Sequence, residues 1–142
     1  MTTIAYRNGV IAWDSQVTAG SMVVSRSFQK MTKVNGFTLW CAGSIQDREA
    51  LVKALSSGRA EWDMDLEVEA LVLENGGLNL VSVREGRIWR DSVAENEPMA
   101  IGSGADYAMG AMDAGCSAVE AVKIAAGRDV NTGGKIRHKR IL

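Results

Sequence analysis

A chain of 142 residues has the usual length of one domain, so we expect a single domain over residues 1–142. Its 16 lysines and arginines are balanced by 17 aspartates and glutamates, which argues against nucleic acid or an anionic membrane as a partner. With two cysteines and one histidine, neither a disulfide framework nor a zinc site can be built. We therefore expect a soluble, cytoplasmic protein that needs no metal or cofactor.

The first third of the chain has the composition of strands. Two runs rich in β-branched and aromatic residues, Thr2 to Arg7 and Val10 to Asp14, flank Asn8-Gly9, a pair that predicts a tight hairpin turn. Ser21 to Ser25 is strand-like, and so is Met31 to Cys41, which contains a second Asn-Gly pair. Together these segments predict a meander of about five strands before the first helix.

The middle of the chain predicts one helix and a second meander. Apolar residues recur at helical spacing from Ile45 to Leu55, and a Ser-Ser-Gly sequence then ends the pattern. The following strand-like runs are separated by glycine-containing turns. They are Val68 to Glu74, Leu78 to Arg84 and Arg87 to Val93.

The last third predicts two helices and a final strand. The helical segments are Ala105 to Ala114 and Ser117 to Arg128, and Ser117 with Glu120 has the spacing of a capping box. Runs of strands that alternate with runs of helices favour an α+β fold with antiparallel sheets over a Rossmann or barrel fold.

The beginning of the chain offers a nucleophile. Removal of Met1 would give Thr2 a free amine, whose ordinary pKa of about 7.7 to 8.0 makes it a usable base for the Thr2 hydroxyl. Very many proteins begin with Met-Thr, so an ordinary start of the chain fits this pair equally well.

Two further segments contain residues that suit a nucleophile. Asp14 and Lys30 lie 16 positions apart at the ends of strand-like runs, where a carboxylate would keep the lysine charged beside a hydroxyl. Gly43, between a strand and a helix, could present backbone N–H groups to an oxyanion. A surface salt bridge and an ordinary tight turn are the alternative interpretations.

Three polar residues in the last third of the chain are further candidates for a site around the nucleophile. Ser103 stands between two glycines before one predicted helix, and Asp129 and Thr132 follow another in GRDVNTGG. A Gly-Ser-Gly sequence alone is a weak signal for any site.

The combination of these segments resembles a known family. IAWDSQVTAG, QKMTKVNGF, CAGS and IGSGADYAMGAMDAGCSAVEAVKIAAGRDVNTGGKI, in this order, resemble the β-subunits of the 20S proteasome and the peptidase HslV, which are N-terminal-nucleophile hydrolases. The resemblance implies an αββα sandwich of two antiparallel sheets. One predicted helix between Gly43 and Ser103, where the family usually has two, implies a reduced helical layer.

The resemblance also implies roles for individual residues. Thr2 would be the nucleophile, Asp14 and Lys30 its charged partners, and Gly43 the oxyanion donor. The supporting residues would be Ser103, Asp129 and Thr132. The positions that correspond to the specificity pocket are Val17, Phe28, Cys41 and Ile45, which would accept a hydrophobic side chain or serve as core residues.

The function implied is a threonine-type endopeptidase that works inside a homo-oligomer of one ring or stacked rings. Its substrates would be peptides or unfolded proteins, and an ATP-dependent unfoldase would be its partner. Two alternatives stay open: an inactive assembly or interaction protein that retains Met1, and a small-molecule amidase on the same fold.

The hairpin register conflicts with this assignment. With a two-residue turn at Asn8-Gly9, Thr3 faces Asp14 and Thr2 points to the opposite side of the sheet. We therefore expect a bulge near the start of the chain, which would bring Thr2 to Asp14.

Overall fold

A computed structural model describes residues 2–58 and 68–142. The fate of Met1, on which the predicted mechanism depends, lies outside these residues. The chain divides into two compact units, a first unit of Met1–Lys30 with Ala94–Leu142 and a second unit of Met31–Val93. The single domain over residues 1–142 stays a prediction.

The described residues form eleven strands and three helices. The strands are β1 (Ile4–Arg7), β2 (Val10–Trp13), β3 (Val17–Ala19), β4 (Met22–Ser25), β5 (Met31–Val34), β6 (Phe37–Ala42), β7 (Val68–Glu74), β8 (Gly77–Arg84), β9 (Arg87–Ser92), β10 (Met99–Ile101) and β11 (Arg137–Arg140). The helices are α1 (Ile45–Ser56), α2 (Ala105–Asp113) and α3 (Ala118–Ala126). None of them is long and apolar enough to cross a membrane.

The first unit is built on an antiparallel sheet in the order β10-β1-β2-β11. Asn8 and Gly9 both have positive φ, 49° and 80°, which gives β1 and β2 the predicted two-residue turn. Helices α2 and α3 pack on this sheet through small side chains, which allow a close approach of helix to sheet. This core includes Ala5, Ala12, Ala108, Met112, Ala118, Ala121 and Val122.

Helix α3 begins where the sequence predicts. The Ser117 side chain accepts from the Glu120 N–H, and the Glu120 side chain accepts from the Ser117 N–H, so the predicted capping box is present. This cap fixes the start of the helix that leads to Asp129.

The second unit contains an antiparallel sheet in the order β5-β6-β7-β8-β9, together with helix α1. Its core consists of larger aliphatic side chains than that of the first unit. Leu39, Cys41, Leu51, Leu55, Val68, Ala70, Val72, Val81 and Val83 form this cluster. The turns Asn75-Gly76 and Glu85-Gly86 have positive φ at both residues, as the β7–β8 and β8–β9 hairpins require.

The predicted α+β class with antiparallel sheets is confirmed, but the predicted first meander is wrong. Strands β1 and β2 belong to one sheet, β3 and β4 form a two-stranded sheet, and β5 and β6 belong to a third. Strand β10 was not predicted, because it has three residues and its partner β1 is distant in sequence, with Ile4 opposite Ile101. Neither property leaves a local signal.

Candidate functional site

Thr2 is buried at the start of the chain, and its hydroxyl contacts a carboxylate and an amine. It donates a hydrogen bond to Asp14 Oδ1 and accepts one from Lys30 Nζ. A threonine hydroxyl has one proton and two lone pairs, so it makes both bonds at once. The side-chain oxygen of Thr2 thus lies between a negative and a positive group.

Asp14 is fully buried, and hydrogen bonds satisfy both of its carboxylate oxygens. Lys30 Nζ lies 2.8 Å from Oδ1, and the Thr3 N–H donates to the same oxygen at 3.1 Å. Oδ2 accepts from the backbone N–H groups of Gly133 at 3.0 Å and Gln16 at 3.4 Å. These donors compensate the carboxylate for the water that it loses on burial.

Lys30 is also buried, with 6% of its surface exposed. Burial lowers the pKa of the Lys30 amine, because the charged form loses its hydration, and the charge and hydrogen bond of Asp14 oppose this shift. The net effect is a pKa below the ordinary value of 10.5. Lys30 therefore gives up a proton more readily than a surface lysine.

A second polar cluster lies at the backbone nitrogen of Thr2. This nitrogen donates to Ser103 Oγ at 3.2 Å, and Ser103 Oγ donates to Asp129 Oδ2 at 2.6 Å. Thr132 Oγ1 donates to the same carboxylate oxygen at 2.6 Å, and the Asn131 N–H donates to Asp129 Oδ1 at 3.1 Å. The Thr2 nitrogen is thus linked to Asp129 through one hydroxyl.

The environment of Asp129 stabilises its anion. Burial by itself would raise the pKa of Asp129, but the hydrogen bonds from Ser103, Thr132 and the Asn131 N–H lower it more. The resulting pKa lies below the ordinary value of 3.8.

The folding of the first unit explains why these residues meet. Asp14 directly follows β2, and Ser103 lies two residues after β10, which pairs with β1 next to Thr2. Asp129 and Thr132 follow α3, where the backbone turns and the Thr132 nitrogen donates to the Asp129 carbonyl oxygen at 3.1 Å. The ends of three elements therefore converge at the start of β1.

Two solved structures share this fold. HslV from Trypanosoma brucei matches with a TM-score of 0.74 at 22% identity, over 97% of this chain and 97% of that chain. BPH from Thiobacillus denitrificans, solved in complex with epoxomicin, matches with a TM-score of 0.70 at 19% identity, over 99% of this chain and 98% of that chain. The chain has the HslV fold. Its sequence matches no protein-family model and no curated protein.

The match to these two structures confirms the fold that the sequence resemblance implied. It does so at identities of 19% and 22%, so the residue roles rest on the geometry of this chain. Six of the predicted residues with catalytic roles lie in the first unit, and each forms a hydrogen bond with at least one of the others. They are Thr2, Asp14, Lys30, Ser103, Asp129 and Thr132.

The seventh predicted catalytic residue, Gly43, lies in the second unit. Its φ of 145° is in the region that favours glycine, and an added Cβ would lie 3.3 Å from Val68 Cγ2. Ser44 follows as the N-cap of α1, its Oγ accepting from the Asp47 N–H at 3.1 Å. The predicted strand-to-helix junction is therefore present, and the oxyanion role of Gly43 stays a prediction.

The four predicted pocket residues are divided between the two units. Val17 and Phe28 are partly buried in the first unit. In the second unit, Cys41 belongs to the aliphatic core, where burial raises the pKa of its thiol to about 12, and Ile45 is exposed at the start of α1. A common pocket for these four residues stays a prediction.

The expected bulge between Thr2 and Asp14 is wrong for the described hairpin. Strands β1 and β2 pair without interruption from Ile4 opposite Trp13 to Arg7 opposite Val10. Thr2 and Asp14 both lie beyond the ends of these strands, where side chains no longer alternate strictly across a sheet. The Thr2 hydroxyl therefore reaches Asp14 without a register shift in the ladder.

Sequence reasoning missed Thr3 and the steric roles of Gly102 and Gly104. A Cβ on Gly102, whose φ is 97°, would overlap the carbonyl oxygen of Thr2, and one on Gly104 would overlap the Thr3 hydroxyl. The Gly104 N–H also donates to the Thr2 carbonyl oxygen at 3.3 Å. The Gly-Ser-Gly sequence was a visible signal, but only the fold shows that both glycines make room for the start of the chain.

Proposed function

We propose that the chain is a threonine-type peptidase whose nucleophile is Thr2, exposed by removal of Met1. The observation that carries this proposal is the position of the Thr2 hydroxyl between Asp14 and Lys30 in a buried site. Burial of two charged groups costs free energy of desolvation. A threonine hydroxyl with a purely structural role does not need such a pair beside it, so the pair supports a chemical role for Thr2. The likeness to HslV in fold supports the same reaction class.

The reaction would begin with attack of Thr2 Oγ1 on the carbonyl carbon of a peptide bond. The free Thr2 amine takes the hydroxyl proton and passes it to the leaving amine as the C–N bond breaks. Lys30, held by Asp14, stabilises the negative charge that develops on Oγ1. Water then hydrolyses the ester between Thr2 and the substrate, which regenerates the free hydroxyl.

The cluster around Asp129 would position the amine in this reaction. Ser103 Oγ lies 3.2 Å from the Thr2 nitrogen and is itself held by Asp129. Gly43, from the resemblance, would donate its N–H to the oxyanion. Val17, Phe28, Cys41 and Ile45 would contact a hydrophobic substrate side chain.

We propose further that copies of the chain assemble into a ring or stacked rings and that an ATP-dependent unfoldase supplies unfolded substrates. Exposed apolar side chains support assembly, since Met22 and Val24 lie on a two-stranded sheet with 63% and 52% of their surface exposed. Sedimentation of the purified protein tests this part, and a monomer at working concentration would contradict it.

The decisive experiment begins with the intact mass of the native protein. Loss of one methionine leaves the Thr2 amine free, whereas retained Met1 blocks the amine and favours the inactive assembly protein. Hydrolysis of fluorogenic peptides with hydrophobic residues is then compared between the wild type and Thr2→Ala.

We expect Thr2→Ala to lower kcat/KM by at least about 10⁴-fold, because the nucleophile is lost while the fold is retained. Thr32→Ala, on β5, is the matched control and should cleave at the wild-type rate. Epoxomicin, the ligand of the BPH structure, should add its mass to the wild type and not to Thr2→Ala. Peptide cleavage that persists in Thr2→Ala would refute the mechanism.

A further inference from the structure

Thr3 lies between the two carboxylates that flank Thr2. Its backbone N–H donates to Asp14 Oδ1 at 3.1 Å, and its carbonyl oxygen accepts from the Asp14 N–H at 3.2 Å. Both backbone groups of Thr3 therefore hold Asp14, on the side of the site that contains Lys30.

The side chain of Thr3 contacts the other cluster. Its Oγ1 lies 2.7 Å from Thr132 Oγ1, and both residues are buried. Thr132 has one hydroxyl proton, which it donates to Asp129 Oδ2 at 2.6 Å. Thr3 is therefore the donor to Thr132, and the hydrogen bonds run from Thr3 through Thr132 to Asp129.

The donor direction of the hydrogen bond between Thr3 and Thr132 affects how the Thr2 nitrogen is held. A hydroxyl that accepts a hydrogen bond is a better donor, because neighbouring bonds polarise one another. With Asp129 held as an anion, Ser103 gives its proton to Asp129 Oδ2 and keeps a lone pair for the Thr2 nitrogen. A change at Thr3 is therefore transmitted to Thr2 through the side chains of Thr132, Asp129 and Ser103.

The backbone at Gly104 accommodates this contact. An added Cβ there would overlap the Thr3 hydroxyl and would lie 3.2 Å from Thr132 Oγ1. Gly104 also caps α2, so the start of a helix is built around the pair of threonine hydroxyls.

We propose that Thr3 is a positioning residue for the nucleophile. Its hydroxyl fixes the direction of the hydrogen-bond chain that orients the Thr2 nitrogen, and its backbone fixes Asp14. This role rests on the proposed peptidase function, and it extends that function to a residue that does not touch the reacting atoms.

The test compares Thr3→Val with Thr3→Ser in the mature full-length protein. Valine keeps the branched shape and removes the donor, whereas serine keeps the donor and removes a methyl group. We expect Thr3→Val to lower kcat about five-fold, the effect of one net hydrogen bond, with KM unchanged. Thr3→Ser should retain most of the wild-type kcat. Equal losses in the two variants would overturn the proposal, because they would indicate packing rather than the hydroxyl.

A double-mutant cycle tests whether Thr3 acts through Thr132. Once Thr132→Val has broken the chain, adding Thr3→Val should lower kcat no further. Additive losses would contradict the proposal. Thr32→Val on β5 is the matched control for the substitution itself, and urea unfolding of each variant measures any loss of stability.

A second readout does not depend on activity. An NMR titration of the Asp129 carboxyl should show its pKa rising toward the ordinary 3.8 in Thr3→Val, since the Thr132 donor is weakened, and remaining low in Thr3→Ser. The groups that act on Asp129 are the hydroxyls of Ser103 and Thr132, the Asn131 N–H, the charge of the amino terminus and the Lys30 charge, and both variants keep them.

The two readouts separate the two proposals. An inactive mature wild type would refute the peptidase function, and the titration would still decide the role of the Thr3 hydroxyl. An active wild type with unchanged kcat and an unshifted Asp129 pKa in Thr3→Val would overturn the role of Thr3 alone.

Discussion

Asp14 and Asp129 flank the same residue but are held in different ways. Asp14 is fully buried and has a charged partner, Lys30, at 2.8 Å. Asp129 is half-buried, and it accepts hydrogen bonds from two hydroxyls and a backbone N–H. Asp14 therefore forms a direct ion pair, whereas the hydrogen bonds to Asp129 come from neutral donors.

This difference fits the two tasks that the proposed mechanism requires at Thr2. An ion pair sets the electrostatic potential at the hydroxyl oxygen, because its two groups are held in place beside that oxygen in a buried site. Hydroxyls both donate and accept, so the cluster at Asp129 can orient the Thr2 nitrogen and adjust when it gains or loses a proton. We therefore expect substitutions on the Asp14 side to cost more activity than substitutions on the Asp129 side.

The largest effect is expected from Lys30→Met, which removes the charge while keeping side-chain length. We expect kcat to fall by about 10²–10³-fold, the usual range for loss of a group that stabilises negative charge in the transition state. Stability should also fall by about 3–5 kcal/mol, because Asp14 would be left buried without its counter-charge. Peptide hydrolysis and urea unfolding measure the two effects.

Lys33→Met is the matched control, since Lys33 is exposed on the neighbouring β5. Both kcat and stability should stay at wild-type values in this variant. A folded Lys30→Met protein with normal activity would remove the distinction between the two carboxylates.

An intermediate effect is expected from Gly102→Ala, which disturbs Thr2 between the two carboxylates. The new Cβ would overlap the Thr2 carbonyl oxygen at a backbone φ of 97°, so we expect a loss of about 1–3 kcal/mol in stability together with reduced kcat. Thermal unfolding and peptide hydrolysis measure both.

Gly110→Ala, the same substitution at another position, should stabilise the protein instead of destabilising it. Gly110 lies inside α2, where a Cβ would meet no atom within 4 Å, so alanine should stabilise the helix by about 1 kcal/mol without changing kcat. If both glycine variants behaved alike, the close approach of Gly102 to Thr2 would have no functional importance.

The smallest effect is expected from Asp129→Asn on the pH dependence of stability. The folded pKa of Asp129 is depressed, so its contribution is present above the unfolded value of 3.8 and is lost as pH falls through the folded pKa. Wild-type stability should therefore decrease more steeply below pH 3.8 than that of the variant. Solvent screening keeps the difference small, because Asp129 is only half-buried.

Urea unfolding at several pH values on both sides of 3.8 measures this difference. Asp91→Asn, at an exposed position of β9, is the control and should leave the pH dependence unchanged. Parallel curves for wild type and Asp129→Asn would mean that the neutral donors do not stabilise the Asp129 anion.

Local features of the fold could be predicted from the sequence. The Asn8-Gly9 turn and the Ser117–Glu120 capping box are present as expected, because each depends on a few neighbouring residues. The distribution of strands among sheets could not be predicted, since it depends on pairings such as β1 with β10 between distant parts of the chain.

For the site, the sequence supplied the identity of the chemical groups, and the family resemblance supplied their expected roles. By itself the sequence determined the β1–β2, β5–β6, β7–β8 and β8–β9 hairpins, the three helices and a set of polar residues at the ends of these elements. Only the tertiary structure decided that Ser103, Asp129 and Thr132 meet the backbone of Thr2 and the side chain of Thr3. The physical reason is that turn chemistry and periodicity act over a few residues. The contact between Thr3 and Thr132 spans 129 positions and depends on strand pairing, helix packing and the space left by Gly104.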